Sequence, residues 1–435
     1  MAGTRHRVRS SARRKTGCLP WRAASAQRGA ILPMVGLTLV VVLGFAGLVI
    51  DIGGMFVAKT ELQSALDSCS LSAAAELDGA ADSLTRATSA GLTAGNLNNV
   101  RYQKAAAGIV DSEIVFSDTL TGSYSHAFAP PASAKYAKCT HTSGGVLNNF
   151  IQLLPGVPAT NSVDAVAVAT RAHAQSVCPM PVGLKARTLT PPNYGYTVGE
   201  WVNMLYDPTQ VAPAEMGWYN LDGSTSASET KNEVAGTGYC GSKVGDTVGT
   251  PGAKVSVDDA WNDRFGIYKN NANPSDPAQR PDFTGYVYTH SNWTNPSPQN
   301  AYSGVKAAGS DPTAANFQTK RVGFASYDDT GTSVNGGDKI SGLSMKGGYK
   351  VLASPGSGGQ HQTWGENRRI VLTPVIIASK IADFACMLML QPISSGTQAT
   401  VQLEFLGNAG SPSSPCTAGG LPGGAAGPMV PSLVR

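Results

Sequence analysis

The 435-residue chain carries 50 Gly and 27 Pro with only 14% charged residues, a composition of turns and short strands that excludes a purely helical bundle. It is too long for one ordinary core and leaves room for an anchor and two folded units. The net charge of +4 hides an asymmetry, because Arg5, Arg7, Arg9, Arg13, Arg14, Lys15, Arg22 and Arg28 precede residue 30 without any Asp or Glu, and the rest of the chain holds a slight excess of acid. A basic arm can bind nucleic acid, but here an apolar run starts directly after it; membrane topology explains both features, and no nucleic-acid partner is expected.

The run from Ala30 to Ile50 is free of charge. A helix of that length spans about 31 Å, enough to cross a hydrocarbon core of about 30 Å. Pro33 falls in the first turn, where its missing N–H matters little, and Gly36, Gly44 and Gly47 are tolerable in a membrane helix. The positive-inside rule keeps the leader (1–29) in the cytoplasm and exports everything after Asp51. The chain reads as a single-pass bacterial inner-membrane protein with a periplasmic body. The rival reading, a cleaved signal peptide, meets an apolar run that is too long and lacks a nearby small-x-small site.

Beyond the transmembrane segment (30–50) the helical pattern continues, with Met55, Leu62, Leu66, Cys69 and Ala73 on one stripe and Lys59, Glu61, Ser64 and Asp67 on other faces. Gly79 is a C-terminal stop, which predicts one helix from about residue 31 to 77 and a helical spine over 51–79; the alternative is two helices meeting at Gly53-Gly54. Small polar residues from Ala80 to Gln103 yield no assigned element. Ile114 to Phe116 and Val163 to Ala169 read as strands of a membrane-proximal domain over 80–177. Pro179 and Pro181 mark a boundary at Cys178, where a β-rich periplasmic domain (178–407) begins.

Between Pro191 and Gly359, dense Pro, Gly, Asn and Asp obscure the regular elements. After that, Arg369 to Ile377 is strand-like with Pro374 demanding an edge or a bulge. The apolar run Ile381 to Leu390 is too short to span a membrane and reads as a buried strand, and Val401, Leu403 and Phe405 alternate with Gln402 and Glu404. The Gly/Pro/Ser-rich tail (408–435) is expected to be irregular and laid across the β domain. The fold class is therefore α+β, mostly β: a long N-terminal membrane-spanning helix, a small α+β unit and a larger β-rich extracytoplasmic domain.

Cys18 falls on the cytoplasmic side of this topology, and Cys69, Cys139, Cys178, Cys240, Cys386 and Cys416 are exported to an oxidising compartment. Six cysteines allow fifteen connectivities. One or two disulfides are expected among Cys139, Cys178, Cys240 and Cys416, while the apolar surroundings of Cys69 and Cys386 suit buried thiols equally well.

Motifs that could carry chemistry fail on context. Gly236 to Gly241 fits GxGxxG but follows polar sequence and has no helical pattern after it, so it reads as a glycine-rich loop. Asp328-Asp329-Thr330-Gly331-Thr332 faintly resembles the metal loop of von Willebrand A domains, yet the preceding Val322 to Ser326 would make a poor buried strand. His126, His141, His173, His290 and His361 are dispersed, without HExxH or a GxSxG serine. Asn292-Trp293-Thr294 matches a glycosylation acceptor that means little in a bacterial protein. No catalytic, cofactor-binding or metal-binding residue is assigned, no cofactor is expected, and the protein reads as a non-enzyme.

Gln27-Arg28-Gly29-Ala30 leading into the apolar helix, then Asp51-Ile52-Gly53-Gly54 through Lys59, Leu62-Gln63, Ala65-Leu66-Asp67 and Ser72 to Ala75, resembles the N-terminal region of TadE/TadG-like Flp pilus-assembly proteins. Phe150 to Pro155, Val163 to Ala169 and Cys178 to Gly183 are similar to the rest of the TadG-like membrane-proximal region. More weakly, Trp261 to Gly266, Arg368-Arg369 and Phe384 to Cys386 resemble the exported bodies of such proteins. The resemblance implies a component that assembles, anchors or presents tight-adherence pili through contacts with the inner membrane and other pilus machinery proteins. Two departures qualify it: Met34 stands where prepilins carry Glu, next to an uncharacteristic Pro33, and a von Willebrand A metal site is not recognisable. The alternative is a membrane-anchored surface-binding or adhesive module unrelated to pilus assembly.

Overall fold

A computed structural model describes residues 31–153, 156–205, 215–223, 226–249, 257–269, 273–307, 314–327, 343, 345, 349–351, 359–393 and 400–434. The basic leader and the loop at 328–332 lie outside these residues. The chain divides into two compact units, residues 1–56 with 144–161, and residues 57–143 with 162–435.

Helix α1 runs unbroken from Ile31 to Ala75, straight through Gly53-Gly54, so the two-helix alternative is not realised. It is long and apolar enough to cross a membrane. Large apolar side chains are exposed along its first half, whereas Leu62, Leu66, Cys69 and Ala73 are buried in the second half, as the stripe predicts. Gly79 follows at φ +83°, a left-handed conformation suited to glycine.

Helix α2 (Ser83–Leu97) occupies the stretch from which no element was expected. Its buried residues, Ser83, Ala87, Thr88, Gly91 and Gly95, recur near every fourth position. A Cβ at Gly91 would meet Cys69 O at 3.2 Å, and one at Gly95 would meet Cys69 Cβ at 3.0 Å. Small residues let α2 pack backbone-close on α1, so the helix owes its existence to this contact; an apolar stripe of ordinary size is lacking, and pattern reading passes over it.

Short strands β1 (Asn99–Val100) and β2 (Ala105–Ala106) pair with each other. The expected strands at 114 and 163 appear as β3 (Ile114–Ser117) and β5 (Thr160–His173), in one sheet with β4 (Tyr136–Leu147). Further along come β6 (Val182–Lys185), β7 (Trp201–Leu205), β8 (Met216–Trp218), α3 (Ala227–Ala235), α4 (Asp258–Asp263), β9 (Ile267–Lys269), α5 (Phe317–Val322), β10 (Tyr349–Val351) and α6 (Gln360–Trp364). The C-terminal strands are β11 (Ile370–Ile377), β12 (Lys380–Met389), β13 (Thr400–Asn408) and β14 (Met429–Leu433). The tail is thus not irregular throughout: β14 pairs antiparallel with β5 and completes a sheet of order β14-β5-β4-β3. Val322 to Ser326 is not a strand either, since Val322 ends α5 and is exposed.

Six strands close a barrel in the order β11-β12-β13-β7-β8-β6. Strands β11 and β12 are buried on both faces. Along β12, Ala385, Met387 and Met389 join a core with Val202, Met204, Val401, Leu403 and Phe405, while Phe384, Cys386 and Leu388 join a second core with Tyr286, Tyr288, Trp293 and Phe317. Two-sided burial explains why 381–390 reads as a continuous apolar run instead of an alternating one. Pro374 sits opposite Phe384, one residue before the register shift between Val375 and Ile376, which is the bulge its missing N–H called for.

Three disulfides join Cys69 to Cys139, Cys178 to Cys240 and Cys386 to Cys416. The sequence reading fell short here, because Cys69 and Cys386 are paired and not free thiols. Their apolar surroundings reported burial, and burial does not distinguish a thiol from a half-cystine. The Cys69–Cys139 bridge closes a loop with a sequence separation of 70. On the chain-entropy model, replacing both cysteines by Ala should lower stability by about 4 kcal/mol, read as the free energy of unfolding extrapolated to zero denaturant, with a steeper slope from the looser unfolded chain.

Candidate functional site

In the first unit, the hairpin connection between β4 and β5 folds onto α1 around one carboxylate. Asp51, buried within α1, accepts hydrogen bonds from three successive backbone N–H groups: Asn149 N at 2.8 Å to Oδ1, and Phe150 N at 2.7 Å and Ile151 N at 2.6 Å to Oδ2. A short 3-10 turn, Ile151–Leu153, starts at this point. The carboxylate therefore sits where the first N–H groups of a helical turn lack internal acceptors. One turn earlier on α1, a Cβ at Gly47 would lie 2.5 Å from Phe150 Cβ, so glycine is what lets Phe150 lie flat on the helix. One turn later, Asn161 Nδ2 approaches Met55 Sδ at 3.3 Å. Asn148 ties the two arms of the loop by donating to Ala159 O and Pro158 O and accepting from Asn161.

Sequence reasoning singled out both the Asp51-x-Gly53 step and the stretch from Phe150, and the structure brings them together. Their contact was missed. The available signal was an Asp closing a long apolar run, since a carboxylate in that position requires donors.

In the second unit, two further stretches, Trp261 to Gly266 and Arg368-Arg369, converge. Arg264 donates to Val234 O and to Arg368 O, Trp261 Nε1 donates to Gln391 O at 3.0 Å, and Asn262 exchanges two hydrogen bonds with the backbone of Ile393. Arg369 is fully buried and donates to the carbonyls of Thr284, Tyr286, Met389 and Leu390, with its guanidinium carbon 4.2 Å from the centroid of Phe265. Burial pulls its pKa down to about 10, still charged at neutral pH. Asp282 accepts from the backbone N–H of both Arg368 and Arg369. Such groups satisfy the backbone of irregular loops inside the core; their hydrogen-bonding capacity is spent on the protein itself.

Other singled-out residues are dispersed. Gly236 caps α3 in a left-handed conformation and Cys240 lies in a disulfide, so the GxGxxG match, read from sequence as a glycine-rich loop, begins at a helix stop. His141 meets Glu113, His126 the carbonyl of Ile114, His173 that of Gly427 and His361 that of Asp282, while His290 packs on Trp201 and comes within 3.4 Å of Gln402. Asn292 is buried and bonded to Val287 O and Thr289 N, unlike an exposed acceptor. Asp222, Glu229 and Glu233 bring carboxylate oxygens within 4.8 Å of one another at α3. An acidic trio of this kind does not define a metal site without a further donor. A cavity of about 210 Å³ is lined by Cys178, Cys240, Cys416, Glu233 and Arg264, among others. Two buried carboxyls are pushed up to about 7, chiefly by desolvation: Asp263, with Asp259 adding to the effect, and Glu404, despite donors on Trp201, Ala301 and Tyr302.

Residues 29–76 match the family model described as putative Flp pilus-assembly TadE/G-like, in agreement with the resemblance read from the sequence. The match takes in the whole of α1 and ties the chain in general terms to Flp pilus assembly. No curated protein and no solved structure matches the chain.

Two outcomes follow from these geometries. Asp51→Ala removes the acceptor of three N–H groups, so hydrogen exchange at Asn149, Phe150 and Ile151 should accelerate by about tenfold or more in the detergent-extracted protein, with Asp51→Asn intermediate. For Asp263 the folded pKa lies above its unfolded value, so the group is neutral in both states below about pH 4 and the native state loses stability as pH rises towards 7. Asp263→Asn should flatten that decline and raise stability at pH 7 by up to about 4 kcal/mol, measured by denaturant unfolding across the pH range.

Proposed function

We propose that this chain is a non-enzymatic component of Flp, or tight-adherence, pilus assembly or presentation, anchored in the bacterial inner membrane and acting through protein–protein contacts. The observation that carries the reading is the TadE/G-like match over 29–76, which coincides with a helix that is apolar and exposed in its first half and buried in its second. Exposed leucines, valines and phenylalanines at that density are unfavourable in water and suited to lipid. In this arrangement residues 1–29 are cytoplasmic, 30–50 span the bilayer, 51–79 form a spine, and the portions 80–177, 178–407 and 408–435 are periplasmic. Partners are other proteins of the pilus machinery, met on the exported body. The use of polar groups as internal ties, as at Arg369 and Asp282, suits a scaffold.

The helix start supports anchoring over filament incorporation. In a prepilin, a Glu near the helix start is costly in lipid and is compensated by the amine of a neighbouring subunit. Met34, exposed on α1, has no charge to pair. A reporter fused after Asp78 should be active only in the periplasm, and one fused within residues 1–29 only in the cytoplasm. Mass spectrometry of the membrane-extracted protein should recover peptides covering residues 22–40 intact. A methylated Ala30 at the N-terminus would instead make the chain a minor pilin.

A further inference from the structure

We propose that the arm Leu147–Ile151 leading into the tip of the β4–β5 hairpin lies in the outer interface of the bilayer beside α1, so that the protein touches lipid with a loop as well as with its helix. The inference rests on the anchoring reading above and extends it from the helix to a second, non-contiguous segment.

Depth is the first argument. Phe150 lies against Gly47, which precedes Asp51 by one helical turn, about 6 Å along the axis on the side of the apolar run. If residues 30–50 span the bilayer, a side chain packed at Gly47 is at or below the level where the helix leaves the hydrocarbon. The second argument is chemistry. No residue from Thr142 to Val163 carries an ionisable side chain, and within this stretch Leu147 is 67% exposed and Phe150 44% exposed. These exposures adjoin the apolar surface of α1 in the same unit, where Leu43, Phe45, Val49 and Ile50 are likewise exposed. Phe150, packed at Gly47, joins the apolar side chains of the loop to those of the helix.

The third argument is polar satisfaction. A loop reaches the edge of the hydrocarbon, where water thins out, at least cost when its backbone groups already have partners. The N–H groups of residues 149–151 are taken by Asp51, the N–H of Asn148 by Ala159 O, and the carbonyl of Pro158 by the Asn148 side chain. The same bonds explain why a carboxylate is tolerated at the helix exit, since each of its oxygens faces donors from the loop. Lipid is preferred to a protein partner as the occupant because this arm continues a surface already assigned to lipid.

The test uses the full chain with Cys18→Ser, reconstituted in vesicles of phosphatidylethanolamine and phosphatidylglycerol, with a nitroxide attached at Leu147→Cys. Leu39→Cys, exposed on α1, serves as the lipid reference, and Val305→Cys, 87% exposed in the second unit, as the water reference. Collision with oxygen and with a water-soluble nickel chelate is read by power saturation. The label at 147 should favour oxygen over nickel several-fold more than the label at 305, approaching the label at 39. Nickel access at 147 equal to that at 305, with 39 still lipid-like, would overturn the inference and leave the anchor standing. Protection of 147 from both reagents would also overturn it, assigning the arm to a protein contact. Nickel access at 39 would remove the anchoring reading and this one together.

Discussion

A carboxylate that closes an apolar helix must be met by donors, and Asp51 is met by three in succession from a segment about one hundred residues away in sequence. That requirement fixes much of the first unit. The donors must come from consecutive residues, which the start of a 3-10 turn provides, and the chain that delivers them must approach the helix closely, which Gly47 permits. Side-chain bonds of Asn148 and Asn161 then hold the loop in the shape that presents the three N–H groups. Removing the carboxylate would leave these donors buried without an acceptor, a more severe change than the loss of one ordinary hydrogen bond.

The second unit meets a different constraint, in that long irregular loops are carried inside the fold. Backbone groups there have no ladder to pair with, so charged side chains substitute for one. Arg369 supplies donors to four carbonyls, Arg264 to two, and Asp282 accepts from three amides, those of Thr284, Arg368 and Arg369. Burying a guanidinium is expensive, and the expense is offset only because nearly every N–H finds an acceptor and an aromatic face lies alongside. The barrel makes this possible: with both faces of β11 and β12 buried, one core fills one face and a second core seats the loops on the other.

Legibility followed periodicity. Helix α1, β12 and β13 were readable because length and apolar spacing state them directly, and Pro374 announced its bulge because a missing donor has few places to go. Helix α2 was not readable, since its buried face is Ser, Ala, Thr and Gly, residues whose pattern carries no hydrophobic signal. The pairing of Cys69 and Cys386 was hidden for a related reason, as local context encodes burial and not the identity of the partner. At the Asp51 site the two halves were each conspicuous in sequence, yet only tertiary structure could join residues separated by nearly one hundred positions.

The distribution of polar chemistry bears on what kind of molecule this is. Among the described residues, several buried charged groups bond largely to backbone: Asp51, Arg264, Asp282, Arg369 and Glu404 each hold loops or strand ends in place. A catalytic centre needs the opposite arrangement, with convergent side chains that keep unused bonding capacity aimed at a cleft. Glu404 illustrates the difference. Its pKa is raised to about 7, a value that in a cleft would suggest proton transfer, yet its oxygens accept from Trp201 Nε1 and from the amides of Ala301 and Tyr302, within a buried junction between a strand and a loop. A perturbed carboxyl whose bonds are all internal has its proton affinity coupled to the integrity of that junction. Among the described residues, these buried charged groups accordingly hold the architecture together.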